Sequence, residues 1–347
     1  MILFYKDLRR RVFFLFQKII AIVSSSSILS EIYYSIFSRR FCREHISVLS
    51  GKSAYYKDLE NPSDNYLLRR NVHRLEKGII MMPRKEFFAS DYIVETVEYF
   101  IRVWRDRSDI TDELRWARDV ISEYFHVVGD HDSILQLRCR FFEAIDEDAV
   151  AEEKTRMTPY ARGDSPVANI SYGELLALFR KRRSVRWYEC KKVSMDVLGQ
   201  AVDAASLAPS ACNRQPFKFY VTLNPKRAGA LAKLALGTAG FADNIQAMVV
   251  LVGDLSAYFH ERDRHVIYID GALFAMQFML ACETLGLSTC PINWPDIDES
   301  EMRMKEELGL KSYQRPIMLL SVGYALKDGC IPFSQKKKFS DLVVEIV

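Results

Sequence analysis

From Ser171 onward the chain alternates helical and strand patterns, yet no Gly-rich turn follows any of its strands. That combination excludes the doubly wound dinucleotide-binding folds, in which glycines let backbone amides approach a pyrophosphate. The segment GTAGFADN (237–244) has neither the required spacing nor a strand before it, and there is no Walker lysine motif.

Local patterning in this half is specific. Ser171 and Glu174 form a capping box opening a helix with Leu175, Leu176 and Phe179 on one side. That helix delivers RRSVR (182–186) at its C-terminal end, where the helix dipole opposes an anion and the arginine charges must outweigh it. A second helix follows Ser194, buries Val197, Leu198, Ala201, Val202 and Ala205, and stops at Pro209. FKFYVTL (217–223) reads as a strand, Asn224-Pro225 starts another helix, and AMVVLVG (247–253) reads as a buried strand. Asp298, Glu301 and Gly309 frame the last clear helix.

Residues 51–150 read as helical throughout. Ser90 precedes Ile93, Val97, Ile101 and Trp104, Thr111 precedes Leu114, Ala117, Ile121 and Phe125, and Ser133 precedes Leu135, Cys139, Phe142 and Ile145. Each set falls on one helical face behind a capping residue, so the three helices need one another to cover their apolar sides. From about 146 the chain turns acidic and aperiodic, with Pro159, Gly163 and Pro166, which makes 151–170 a linker. Upstream, Arg69, Arg70, His73, Arg74 and Lys77 crowd one side of a helix expected to end at Gly78. Such a cluster can meet an anionic ligand, remain solvated, or pair with the acidic linker.

Composition narrows the class further. A chain of 347 residues, 49% hydrophobic and 27% charged, has material for two cores, and a net charge of +3 is too small to imply nucleic acid. Seven cysteines form no CxxC pair, and the histidines have no companions at ligand spacing, so no metal is expected. Several thiols sit in apolar runs, which suits a reducing cytoplasm. Residues 1–50 stand apart, with eight Lys/Arg against three Asp/Glu. Their apolar run VFFLFQKIIAIV is well short of the roughly 20 residues that span a bilayer. Three alternatives stay open for it: a helix buried on the protein or a dimer partner, peripheral contact with the inner membrane face through a basic amphipathic helix, or a signal or anchor. A cytoplasmic protein, with peripheral membrane contact through residues 1–50 left open, is the expectation.

Chemistry concentrates in 182–216. Arg182, Arg183, Ser184 and Arg186 suit a phosphate, because guanidinium forks and a hydroxyl offer several charge-assisted hydrogen bonds. The Pro-Ser-x-x-Asn-x-Gln turn carries Pro209, Ser210, Asn213 and Gln215, and its carboxamides offer donor and acceptor to the polar edge of a heteroaromatic ring. This pattern resembles the nitroreductase family of FMN enzymes. Three further segments extend the resemblance in order: YIDGALFAMQFMLACETLGLSTCPINW (268–294), RPIMLLSVGYA (315–325) and the basic SQKKKFSDLV (334–343). Together they cover about half the chain, 171–347.

The resemblance implies an α+β, three-layer fold with a central, mostly antiparallel sheet flanked by helices, here preceded by an all-helical N-terminal region. It also implies an intertwined homodimer whose flavin sites are each built from two chains. Activity would be ping-pong hydride transfer from NAD(P)H through FMN to a small organic acceptor, with no side-chain acid or base needed. By family position Arg182, Arg183, Ser184 and Arg186 would hold the ribityl phosphate and pyrimidine edge, with Lys336 and Lys337 completing the phosphate site. Pro209, Ser210, Ala211, Asn213 and Gln215 would line the ring, and the backbone at Pro291, Ile292 and Asn293 would approach N5. Two departures stand out: Asn293-Trp294-Pro295 replaces an acidic residue and glycine, putting an indole where it could narrow the pocket, and lysines replace an arginine near the C-terminus. The HRLEKG-like segment (67–84) beside such a domain is similar to proteins linked to bacterial surface-polysaccharide gene clusters, which leaves a flavin-binding or flavin-free scaffold in such a system as the competing class.

Overall fold

A computed structural model describes residues 2–60, 65–107, 109–129, 132–145 and 156–346. Helices α1 (Ile2–Val23) and α2 (Ser27–Ile32) lead through a π-helical turn, Tyr33–Ser38, to α3 (Cys42–Glu60). Then come α4 (Tyr66–Ile79), α5 (Ile93–Asp106), α6 (Asp112–Val127) and α7 (Asp132–Ala144). The Thr111 side chain caps α6 by accepting from the Leu114 N–H. Ser90 does not cap α5: the chain turns through a left-handed Ala89, the helix starts behind Tyr92, and no side chain closes its first turn. The side chain of Ser133 and most of the expected linker, 146–155, lie outside the described residues.

Helices α4 to α7 share one core. Leu68, Val72 and Leu75 of α4 meet Val97, Phe100 and Trp104 of α5, Ile121 and Tyr124 of α6 and Phe141 of α7, all fully buried. Gly78 is one residue inside α4 rather than at its end. A Cβ there would sit 2.2 Å from the ring of Phe88, so glycine is required by that contact and not by a left-handed cap.

The second half contains α8 (Tyr172–Lys181), α9 (Met195–Ala205), β1 (Phe217–Thr222), α10 (Pro225–Ala232), β2 (Ala247–Asp254), α11 (Val266–Thr284), β3 (Ser288–Asn293), α12 (Asp298–Leu308) and β4 (Gln314–Gly323). Caps fall where cap chemistry predicts: the Ser171–Glu174 box on α8, Ser194 on α9, Asn224 on α10 and a left-handed Gly309 after α12. The four strands are antiparallel in the order β1-β2-β4-β3. Along β2, Ala247, Val249 and Leu251 face α9 and α11, while Met248, Val250 and Val252 face the α10–α12 side. Both faces are covered, which is why this strand reads as an unbroken apolar run. The fold is the expected three-layer α+β arrangement behind a helical N-terminal region.

A fourth, smaller cluster joins the two halves. Tyr66 and Val48 pack with Leu255, Ala257, Tyr258 and Ile267, and α3 approaches so closely at Gly51 that a Cβ would lie 2.6 Å from the Leu255 carbonyl oxygen. Arg43 at the start of α3 pairs with Asp296 and Asp298. Asp296 also pairs with Arg315, whose guanidinium bonds the buried Glu301. Among the described residues one helical segment, 261–284, is long and apolar enough to cross a membrane, and it contains α11, whose Phe274 and Phe278 pack on the sheet.

Candidate active site

Two separated clusters make up the candidate site, one at each end of α11. At its C-terminal end α8 hands over to an extended segment in which Ser184 bridges Thr289 of β3, and the Val185 N–H donates to the Thr289 carbonyl. Lys181 donates to the Glu283 carbonyl at 3.2 Å. Burial pushes the Glu283 carboxyl above the usual range, against the opposing pull of Ser288, Lys181 and Arg182. Burial likewise raises the Cys290 thiol, countered by Arg186, Ser184 and Arg182.

The arginines divide between two directions. Arg182 and Arg186 influence β3, whereas Arg183 donates to the carbonyls of Pro332 and Phe333 and so ties down the start of the C-terminal segment. Between Arg180, Arg183 and residues 331–336 lies a cavity of about 530 Å³ that Lys336 also lines. Lys337 is exposed and lines no part of it. Among the described residues the buried Nε of Arg182 and Oγ1 of Thr289 have no hydrogen-bond partner. Leaving a buried charged donor unpaired costs about 1–3 kcal/mol or more. These atoms therefore fit a site whose occupant is an oxygen-rich anion.

The turn 209–215 sits at the other end of α11. Cys212, Asn213 and Gln215 all adopt left-handed backbone conformations, with φ of 54°, 51° and 49°. Each such non-glycine residue costs roughly 1–2 kcal/mol, so the surroundings must impose the shape. Asp270 of α11 accepts from the Ala211 N–H at 2.9 Å, and Ser210 accepts from the Gln215 N–H. Arg69 of α4 donates to the Asn213 carbonyl at 2.8 Å and to the Gln215 side-chain oxygen at 3.0 Å. The Gln215 amide nitrogen donates to the Ser206 carbonyl, which leaves the carboxamide of Asn213 as the one in this turn without a hydrogen bond among the described residues.

From Asp270 to Glu283 the rise of the helix is about 20 Å, so one chain does not bring Arg182 and Ser184 together with Ser210 and Asn213. Pro291, Ile292 and Asn293 lie on β3, with Ile292 buried in the α10–α12 core and Asn293 exposed at the strand end. Trp294 does not open onto a pocket. It is buried with Leu234 and Met304, and its indole N–H donates to Glu301 at 2.7 Å.

The basic face of α4 is committed to the protein. Arg69 holds the turn, Arg70 stacks on Phe259, Arg74 lies over Tyr92 and bonds Asp91, and His73 meets Glu76. Lys77, the fifth residue of the cluster, is exposed, and most of the acidic linker lies outside the described residues. Two residues of this region, Asp270 and Thr289, escaped sequence reasoning. A lone carboxylate inside an apolar helix, as in YIDGALF, was the available signal for the first; Thr289 had none. Among the described residues no group of His, Cys, Asp and Glu could hold a metal ion.

Residues 179–243 and 225–324 match the model of the nitroreductase family. Over these residues the C-terminal half is similar to the nitroreductase family. The Bacillus subtilis protein YdgI, which carries the name NAD(P)H nitroreductase, is 28% identical over 197 residues, 46% of this chain and 92% of its own length. Mouse iodotyrosine deiodinase 1 is 24% identical over 239 residues, 58% of this chain and 82% of its own. A solved structure titled FMN-dependent nitroreductase, from Clostridium difficile, aligns over 48% of this chain and 93% of that one at 24% identity, with a TM-score of 0.40. The matched residues include Arg182 to Arg186, the turn 209–215, Asp270 and Thr289, while residues 331–336 and α1 to α7 with Arg69 lie outside them.

Proposed function

We propose that the protein is an FMN-dependent oxidoreductase acting as a homodimer. The observation that carries this reading is the pair of unpartnered buried atoms, Arg182 Nε and Thr289 Oγ1, beside Ser184 and Arg186 in a nitroreductase-like domain. FMN, when bound, supplies the hydride chemistry, taking electrons from NAD(P)H and passing them to a small organic acceptor. The chain's own residues bind and orient. Arg182, Ser184 and Arg186, with Lys336 at the cavity rim, hold the phosphate end, and their charges outweigh the unfavourable C-terminal dipole of α8. Asn213 offers a donor and an acceptor to the ring edge on a turn whose shape is imposed by Asp270 and Arg69.

Two chains are needed because one does not assemble both clusters. Ile269, Leu273 and Met276 form an exposed apolar stripe along the outer face of α11, and Leu175 and Phe179 of α8 are exposed beside the same end of the domain. Antiparallel pairing of two α11 helices across a two-fold axis sets the turn of one copy beside the arginines of the other, twice. Surface-polysaccharide assembly as the cellular setting is supported only by the resemblance of 67–84.

The visible absorbance spectrum of the purified protein, before and after anaerobic NAD(P)H, tests the reading. A flavin spectrum near one FMN per chain that bleaches on addition is expected. Absence of flavin even after reconstitution with excess FMN would overturn it and favour a scaffold.

A further inference from the structure

We propose that the N-terminal arm, residues 1–41, docks the protein on an anionic lipid surface. The inference does not rest on the flavin chemistry. From Cys42 onward the chain is anchored, with Arg43 on Asp296 and Asp298 and Gly51 against Leu255. Ahead of that anchor, among the residues whose exposure is described, none from Arg11 to Ile46 is buried. The expectation of a helix buried on the chain's own surface is therefore not met. In α1, Val12, Leu15, Phe16, Ile19 and Ile22 recur at three-to-four spacing, and the exposed Phe13 and Phe14 carry the apolar surface around the helix to the flank of Gln17 and Lys18. Phe16 is 51% exposed, Ile19 44% and Ile22 64%. The apolar surface continues through Ile28 and Ile32 of α2 to Ile36 and Phe37. A contiguous exposed apolar surface of this kind marks a binding face.

Charge selects the occupant. Residues 1–50 carry eight Lys/Arg against three Asp/Glu, with Arg39 and Arg40 exposed where the arm meets the anchored body. The apolar run of α1, interrupted at Gln17 and Lys18, is too short to span a bilayer, and exposed aromatic and aliphatic side chains flanked by basic residues suit a helix that lies in the interface plane. A phosphatidylglycerol-rich surface meets both demands, taking the apolar face at the acyl boundary and the cations at the headgroups. Seating the arm in this way holds the nitroreductase-like domain at the membrane.

Flotation of the full chain with phosphatidylcholine vesicles containing about 30% phosphatidylglycerol decides the matter. Co-flotation that is reversed by about 0.5 M salt is expected. Lys18→Gln with Arg40→Gln should lower partitioning roughly twenty-five-fold, at about fivefold per cation. Phe16→Glu with Ile19→Glu should abolish it while the circular dichroism and the oligomeric state stay those of the wild type. No flotation, or equal flotation on pure phosphatidylcholine, overturns the proposal. So does a change of oligomeric state in the Glu variant, which would assign the arm to a second copy of the chain.

Discussion

Arg69 is the residue on which the two halves of the molecule depend most directly. Its guanidinium reaches from α4 to the turn 209–215 and fixes two of the three left-handed residues there, Asn213 and Gln215. Charge-assisted hydrogen bonds of this kind contribute about 1.5–3 kcal/mol each. Arg69→Ala should therefore weaken FMN binding at least about tenfold, measured by flavin fluorescence titration, while leaving the arginine cluster of the other site half untouched. Arg69→Lys should recover little, because an ammonium cannot fork to both acceptors. An unchanged dissociation constant in Arg69→Ala would remove the clamp from the account. Asp270 holds the same turn from below. Burial raises its carboxyl above the ordinary value, more than the Ala211 N–H and Arg214 lower it. The folded state thus binds this proton more tightly than the unfolded chain, so the residue favours folding below the ordinary carboxylate range and loses that contribution as pH rises through its raised value. Asp270→Asn keeps an acceptor for the Ala211 N–H and should flatten the dependence of the melting temperature on pH above the ordinary carboxylate range, about pH 4. A pH profile identical to wild type would mean the carboxyl does not titrate differently on folding. At this scale the sequence was legible where chemistry is local: Ser171, Glu174, Thr111, Ser194 and Asn224 all cap as their side chains predict. Arg69 was illegible in its role because its partners Asn213 and Gln215 lie far along the chain, and Trp294, whose indole partner Glu301 is near in sequence, because nothing local shows that the end of β3 is buried against α12.

Most helices were legible as elements from the period of their apolar residues, but α11 is apolar on all sides like the run of β2, and only the resemblance of 268–294 indicated it. Sheet order was not legible, because nothing in β1, β2, β3 and β4 as separate strings says that β4 inserts between β2 and β3. The element that decides the proposed function is α11. Its inner face carries Phe274 and Phe278 against the sheet, so mutations there would report on folding alone. Its outer face, Ile269, Leu273 and Met276, touches no core of its own chain and is the place to test the shared site. Leu273→Glu places like charges near each other across a two-fold axis and should convert dimer to monomer in light scattering, with loss of bound FMN and little change in helical content. A Leu273→Glu monomer that retains FMN at wild-type affinity would show that one chain suffices, and the 20 Å gap along α11 would need closing in some other way.

At the scale of the whole molecule the chain has one large helical core, two cores on either side of the sheet, and a small seam between the halves. Sequence patterning separated the helical region from the α+β domain but could not show that they are locked together, because the seam is made of residues such as Val48, Tyr66 and Leu255 that read as ordinary members of their own elements. Gly51 exposes the lock. There α3 lies against the backbone of residue 255, and an added Cβ would stand 2.6 Å from a carbonyl oxygen that cannot move without disturbing the end of β2. Overpacking of this kind costs about 1–3 kcal/mol, and the cost falls on the contact between the halves and on neither main core. Gly51→Ala should therefore split a single calorimetric unfolding transition into two, the helical region and the nitroreductase-like domain melting separately. Because Arg69 crosses the same boundary, the variant should also bind FMN more weakly even though residue 51 touches no part of the site. Gly78→Ala, which drives a Cβ into Phe88 inside the helical core, is the matched control: it should lower the melting of the helical region without separating the two halves. A single transition in Gly51→Ala with FMN affinity intact would mean that the seam is incidental and that the helical region serves the domain only through Arg69.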